Sequence, residues 1–274
     1  MKCVILAGGR GTRISEESHL RPKPMIEVGG RPILWHIMNI YANHGVTDFV
    51  ICLGYRGYMI KEFFYNYFLH NSDATIDVAA NRVTYHDSRA EPWRVTLVDT
   101  GETTLTGGRV LRAARYLDAA EPFFLTYGDG LADVDIGGQL AFHEAHGALV
   151  TMTVVRPPAR FGTSVVDGDR VVAFEEKSQA REGLVNGGFF IVSSAALRYI
   201  DGDDTPWESE PLRRLTADGQ LRAWRHTGFW QPMDTLREKE LLESLWEGGA
   251  APWARREPRR DDQGPTGPIP GTPG

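Results

Sequence analysis

The chain has 274 residues, 42% of them hydrophobic, enough to bury one large core or a core with a small insertion. Its net charge is −6 at neutral pH, so overall charge offers no attraction to nucleic acid or to an anionic membrane, and cations that matter must be local. Cys3 and Cys52, each inside an apolar run, argue against both a disulfide framework and a zinc site.

The first element is the strand Lys2-Cys3-Val4-Ile5-Leu6, which runs into Ala7-Gly8-Gly9-Arg10-Gly11-Thr12-Arg13 and then Arg21-Pro22-Lys23-Pro24-Met25. A chain that exposes consecutive backbone N–H groups to an oxyanion needs positive φ or close approach, which side chains obstruct and glycines allow. Arg13 adds a planar fork suited to phosphate oxygens, and Lys23 a compact charge on a proline-stiffened segment. The stretch reads as a polyphosphate cradle. Two other glycine loops fail on spacing: Ile14 stands where a dinucleotide fingerprint needs a third glycine, and Gly11-Thr12-Arg13 is not the Gly-Lys-Ser/Thr ending of a P-loop.

Ile33, Leu34, Ile37, Met38, Ile40 and Tyr41 recur at helical spacing between Pro32 and Gly45, and Asp48–Leu53 follows as an apolar run typical of a strand buried on both faces. Strand, helix, strand implies a parallel sheet. An aromatic-rich helix is expected from about 57 to 69, with its stripe in a core or a subunit interface. Residues 71–92 read as an insertion, and strands resume at 94–98.

A helix at 107–117 and a buried strand at 122–126 lead to Gly128-Asp129-Gly130. Ligands on open parallel sheets collect outside the carboxyl ends of the strands, which puts Asp129 at the same rim as the glycine loop. Further on, the pattern predicts a helix at 137–146, a strand at 148–155, turn-rich sequence to 184 and a strand over 184–192. Helices at 194–200 and 208–217, a strand at 220–225 and a last helix after Asp234 complete the domain, which spans 1–253. His143 and His146 lie one turn apart with too few residues between them for the zinc-protease motif, and read as a solvated helix face. The tail 254–274, with eight Gly or Pro among its last eleven residues, is expected to be disordered. No run approaches the roughly 18 apolar residues of a membrane span and no leader pattern precedes the first strand, so a cytoplasmic protein is expected.

Leu-Ala-Gly-Gly-Arg-Gly-Thr-Arg followed by Pro22-Lys23-Pro24-Met25 resembles the signature of the sugar-1-phosphate nucleotidylyltransferases. Glu91-Pro92-Trp93-Arg94, Thr106-Gly107-Gly108-Arg109, Tyr127-Gly128-Asp129-Gly130, Asn186-Gly187-Gly188-Phe189-Phe190 and Gly228-Phe229-Trp230-Gln231-Pro232-Met233-Asp234-Thr235 narrow the likeness to the glucose-1-phosphate cytidylyltransferases. The resemblance covers about residues 1–253. It implies a Rossmann-like α/β fold, a mixed and mainly parallel sheet flanked by helices, as in nucleotide-diphospho-sugar transferases. It also implies an enzyme that joins CTP and glucose 1-phosphate, and a homo-oligomer, plausibly a hexamer, with the 71–92 insertion away from the chemistry and at a subunit contact.

Attack of a sugar phosphate on a nucleotide's α-phosphorus brings two anions together, so charge must be neutralised first. Mg²⁺ suits a pair of carboxylates that leaves its other positions to water and phosphate. The resemblance makes Asp129 and Asp234 the metal carboxylates; taken singly, the first reads as a turn residue and the second as a helix cap before Thr235. Arg13, Lys23 and Asp129 are the expected catalytic groups. Leu6, Ala7, Gly8, Gly9, Arg10, Gly11, Thr12, Arg13, Lys23, Thr104, Arg109 and Gly128 are the expected nucleotide contacts, and Lys177, Asn186, Gly187 and Trp230 the sugar-phosphate contacts. Ser178 replaces the family's usual proline beside Lys177. Rival readings are the same chemistry on another base or sugar, a non-catalytic nucleotide-sugar sensor, and a nicotinamide oxidoreductase disfavoured by Ile14.

Overall fold

The computed structural model describes residues 1–9, 11, 14, 20–158, 163–167, 170–175 and 183–254. β1 (Cys3–Leu6) leads through the short pair β2 (Glu27–Val28) and β3 (Arg31–Pro32) into α1 (Ile33–Ala42) and β4 (Asp48–Leu53). Then come α2 (Gly57–Tyr65), α3 (Tyr67–His70), the ribbon β5 (Asp73–Asp77) and β6 (Arg82–His86), β7 (Arg94–Asp99), and α4 (Thr106–Ala113). β8 (Phe123–Tyr127), β9 (Gly130–Ala132), α5 (Ile136–His146), β10 (Val150–Val155) and the hairpin β11 (Thr163–Asp167) and β12 (Arg170–Glu175) follow. The last elements are β13 (Val185–Val192), α6 (Glu210–Ala217), β14 (Leu221–Arg225), β15 (Trp230–Pro232) and α7 (Leu236–Glu247).

Seven strands form the central sheet in the order β14-β10-β13-β8-β1-β4-β7. β13 runs antiparallel to both of its neighbours, and the other pairs are parallel. The sheet is therefore mixed and mainly parallel, as expected.

The continuous apolar strands are explained by two separate cores. Alternate residues of a strand face opposite sides, so Cys3, Ile5, Phe49 and Ile51 pack with Ile33, Ile37 and Tyr41 of α1 and Leu242 of α7. Val4, Leu6, Val50 and Cys52 pack with Val110 and Ala113 of α4 and Leu212 and Leu215 of α6. Both cysteines are reduced and buried. Among the described residues no helix is long and apolar enough to cross a membrane.

Several sequence expectations need revision. The stretch expected to be turn-rich carries the β11–β12 hairpin, in which Thr163 pairs with Glu175; these strands pair with each other and not with the sheet, so no long apolar run marks them. The helix expected to reach 117 ends at Ala113 and tightens into a 3-10 turn at 114–116, and the segment expected as a helix near 194–200 is a 3-10 turn throughout. The ribbon β5–β6 stands off the sheet with every residue except Asp77 exposed. On α2 and α3 the aromatic stripe divides: Phe64 stacks on Tyr67 and Phe63 meets both rings edge-on, whereas Tyr65 is 90% exposed. Of the expected disordered tail, 254–274, residues 255–274 lie outside the described residues.

His143 is not on a solvated face. It is buried against β10 and β13, with Nδ1 2.9 Å from Thr151 Oγ1 and Nε2 3.3 Å from Ser193 Oγ. Equally buried, His36 has Nε2 2.8 Å from the Val28 carbonyl and receives Trp253 Nε1–H on Nδ1 at 3.2 Å, so its proton resides on Nε2. Burial, the largest influence on each, pushes both imidazoles down to about 4. In the unfolded chain they titrate near 6.5. Their depressed values favour folding above about pH 6.5 and withdraw that support as pH falls toward 4, by at most roughly 3 kcal/mol each. Urea unfolding at pH 7.5 and 4.5 should show this loss, and His143→Gln should make the difference between the two pH values smaller; an unchanged difference would remove His143 from the acid response.

Candidate active site

Parallel strands β1, β4, β7 and β8 end at one edge of the sheet, and the loops that leave them meet there. They surround a cleft of about 600 Å³ lined by Leu6–Gly9, Gly11, Lys23, Pro24, residues 102–106, Arg109, Tyr127–Asp129 and Asp234. The volume suits a nucleotide-sized ligand.

Arg109, on α4, is buried beneath the glycine loop. Its Nη1 donates to Leu53 O at 3.0 Å, Thr100 Oγ1 at 2.7 Å and Gly101 O at 2.8 Å, and its Nη2 to Gly8 O at 3.2 Å and Glu102 O at 3.3 Å. The guanidinium thus ties the loops after β1, β4 and β7 together. Burial draws it below its ordinary pKa without threatening its charge. The Gly8 carbonyl is turned toward Arg109 and also accepts from Tyr55 N at 3.2 Å. In a trans peptide the carbonyl and the next N–H point in opposite directions, so the Gly9 N–H is directed away from the arginine. Gly8 must lack a side chain: a Cβ there would lie 2.1 Å from Arg109 Nη1. Gly128 N–H is engaged with Leu6 O at 3.0 Å.

On the opposite wall stands Lys23. Its 3-10 turn, Lys23–Met25, is entered from Pro22 and closed by Met25 N to Pro22 O at 2.8 Å. The ammonium lies 2.7 Å from Asp129 Oδ2 and 2.6 Å from Asp234 Oδ1, with its side chain 9% exposed. Burial pulls its pKa down, but attraction and hydrogen bonding to Asp129 and then Asp234 outweigh that and raise it above the ordinary value.

The two aspartates, 105 positions apart in the chain, meet through a ribbon too short to announce itself in sequence. β9 and β15 pair antiparallel, with Gly130 opposite Pro232 and Ala132 opposite Trp230, and Met233 N donates to Asp129 O at 2.8 Å. Asp234 is not the helix cap. Thr235 caps α7 by accepting from Glu238 N, while Glu238 Oε2 accepts from the N–H groups of Thr235 and Asp234. The capping box leaves the Asp234 carboxylate to Lys23.

Asn186, at the start of β13, donates Nδ2–H to Tyr127 OH at 3.2 Å and accepts Gly188 N–H at 2.9 Å. Trp230 Nε1 donates to Gly187 O at 2.8 Å, binding β15 to β13. Asn186, Gly187 and Trp230 lie beside the cleft rather than among its lining residues. Arg10, Thr12, Arg13, Lys177 and Ser178 lie outside the described residues. Sequence reasoning assigned no role to Glu102, Thr103 and Leu105, which lie on the turn between β7 and α4 where no periodicity operates, or to Thr106, the first residue of α4, and Tyr127, which it quoted within motifs.

A family model for nucleotidyl transferases matches residues 2–231. The chain belongs to the nucleotidyl transferase family. This transferase is 55% identical over 253 residues to a glucose-1-phosphate cytidylyltransferase of Salmonella typhi, covering 92% of the chain and 98% of that relative. It is 41% identical over 254 residues to a probable glucose-1-phosphate cytidylyltransferase of Bacillus subtilis, covering 92% and 99%. Among solved structures, UDP-glucose pyrophosphorylase complexed with UDP-glucose matches with a TM-score of 0.65 at 13% identity, over 90% of this chain and 98% of that one. HddC from Yersinia pseudotuberculosis matches with a TM-score of 0.65 at 22% identity, over 89% and 99%. These structural likenesses are of fold.

Nucleotidyl transferases generally work with a divalent metal. The donor set fits one: two carboxylates, hard oxygen ligands, already converge on a single cationic centre, the Lys23 ammonium. Removing that ammonium in Lys23→Met would leave the carboxylates facing each other at cost. Because the carboxylates keep 35% and 18% of their side-chain exposure, solvent screens the loss to roughly 2 kcal/mol. Thermal unfolding of the metal-free variant should fall by several degrees, and millimolar divalent cation should restore more of it than the same cation adds to the wild type. Equal metal responses would separate Lys23 from the metal site.

Proposed function

We propose that the transferase moves the cytidylyl group of CTP to α-D-glucose 1-phosphate, giving CDP-glucose and pyrophosphate. The observation that carries the chemistry is a buried lysine ammonium bridging two aspartates on the wall of a cleft rimmed by a glycine loop. Identity of 55% over nearly the whole chain supports the choice of base and sugar.

In the reaction an oxygen of the sugar phosphate bonds to the α-phosphorus while the bond from that phosphorus to the bridging oxygen breaks, and pyrophosphate leaves with the electron pair. The attacking phosphate is already an anion, so no side chain has to remove a proton. Lys23, protonated at any working pH, sets its charge against the negative charge gathering on the phosphates. Gly8, Gly9 and Gly11, with Leu6 and Ala7, form the nucleotide's side of the cleft, together with Thr104, the strut of Arg109 and the clearance at Gly128. Arg10, Thr12 and Arg13 are assigned to nucleotide binding as well, Arg13 as a second catalytic cation. Asn186, Gly187, Trp230 and Lys177 receive the sugar phosphate.

Asp129 and Asp234 would hold Mg²⁺, which when bound neutralises phosphate charge and helps align attacking and leaving oxygens. Residues 1–253 form the catalytic domain, with 71–92 inserted into it. The exposed apolar side chains Tyr65 and Phe68 beside it support a homo-oligomeric contact there, as in the expected hexamer.

Pyrophosphate release with glucose 1-phosphate and Mg²⁺ should be faster with CTP than with UTP, dTTP, GTP or ATP by more than about tenfold, about 1.4 kcal/mol of discrimination. A different leading nucleotide would overturn the cytidylyl assignment. Asp129→Ala and Asp234→Ala should each lower turnover by several orders of magnitude with circular dichroism unchanged, because charge stabilisation at a metal is worth several kcal/mol; activity within about tenfold of wild type in both would remove the pair from the metal site.

A further inference from the structure

Tyr127 is a cleft residue that none of the roles above uses. It ends β8, opposite Leu6 of β1, and is followed by Gly128 and Asp129. Its ring is held by Phe190, edge-on at 6.1 Å between centroids, and by Gly188. Gly188 sits at φ +83°, and a Cβ there would lie 2.6 Å from the tyrosine ring. Strand β13 therefore admits no side chain at this point, and the ring takes its place.

Asn186 Nδ2–H donates to the hydroxyl at 3.2 Å, so Tyr127 offers the amide a lone pair. Gly188 N–H requires the Asn186 carbonyl, at 2.9 Å, which settles the amide's orientation.

The geometry points to Tyr127 as a positioning residue for the sugar phosphate: it orients the Asn186 amide. This rests on the reading of Asn186 as a sugar-side contact. With one N–H and one lone pair of the amide anchored, the second N–H is presented in a fixed direction, so less freedom is lost when a hydroxyl binds it.

The test is a double-mutant cycle in the full chain. Tyr127→Phe keeps the ring and removes the oxygen. It should raise KM for glucose 1-phosphate by about tenfold while KM for CTP and the thermal midpoint stay within about twofold and a degree or so of wild type. In an Asn186→Ala background the same change should add less than about twofold, because the amide it positions is gone. An unchanged sugar KM, an equal rise in both KM values, or fully multiplicative effects in the double variant would overturn the proposal. The wild type is first run against a panel of nucleotides and sugar phosphates. A different best pair revises the substrate reading alone, and the cycle is then read with that pair, so the two failures are told apart.

Discussion

A lysine ammonium almost wholly removed from water stays charged only if anions surround it, and Lys23 meets that condition with two carboxylates at 2.6–2.7 Å. Much of the architecture near the cleft serves this one cluster. Prolines 22 and 24 fix the segment that carries the lysine. The β9–β15 ribbon sets Asp129 and Asp234 side by side, and a capping box satisfies the start of α7 without using the aspartate. Desolvation gives the arrangement its strength: charges held in place away from bulk water interact more strongly than the same charges at a surface.

A second buried cation does the opposite work. Arg109 has its guanidinium turned inward onto five acceptors, four of them backbone carbonyls at the ends of parallel strands. Loops that leave adjacent parallel strands have carbonyls that no ladder satisfies, and one planar five-donor group gathers them. The glycine loop owes its direction to that strut. Lysine sets its charge on the wall of the cleft, and arginine holds the frame of the loops that rim it.

The segment after α7 is tied to the same region. Trp253 donates to His36, and His36 to the Val28 carbonyl, five residues beyond Lys23, within an aromatic cluster that includes Trp35 and Trp246. Ala251 and Trp253 are packed into the core with the residues of α1. The lysine turn is thus buttressed from the side away from the cleft.

Apolar runs long enough to be buried on both faces determined the central strands, and helical spacing between Pro32 and Gly45 determined α1, because each pattern matches a local geometry and needs no distant partner. The order Gly-Gly-x-Gly, Pro-Lys-Pro and Gly-Asp-Gly likewise marked loops able to hold charge. What tertiary structure alone decided was which of these meet. A three-residue strand such as β9 or β15 carries no periodicity, yet that pair brings together carboxylates 105 positions apart. His143 looked solvent-facing because two histidines on a helix say nothing of the threonine and serine waiting on neighbouring strands. Tyr127 and Arg109 show the same limit: composition supplies a hydroxyl and a guanidinium, but whether each faces a ligand or braces a wall depends on partners contributed by segments far away in sequence.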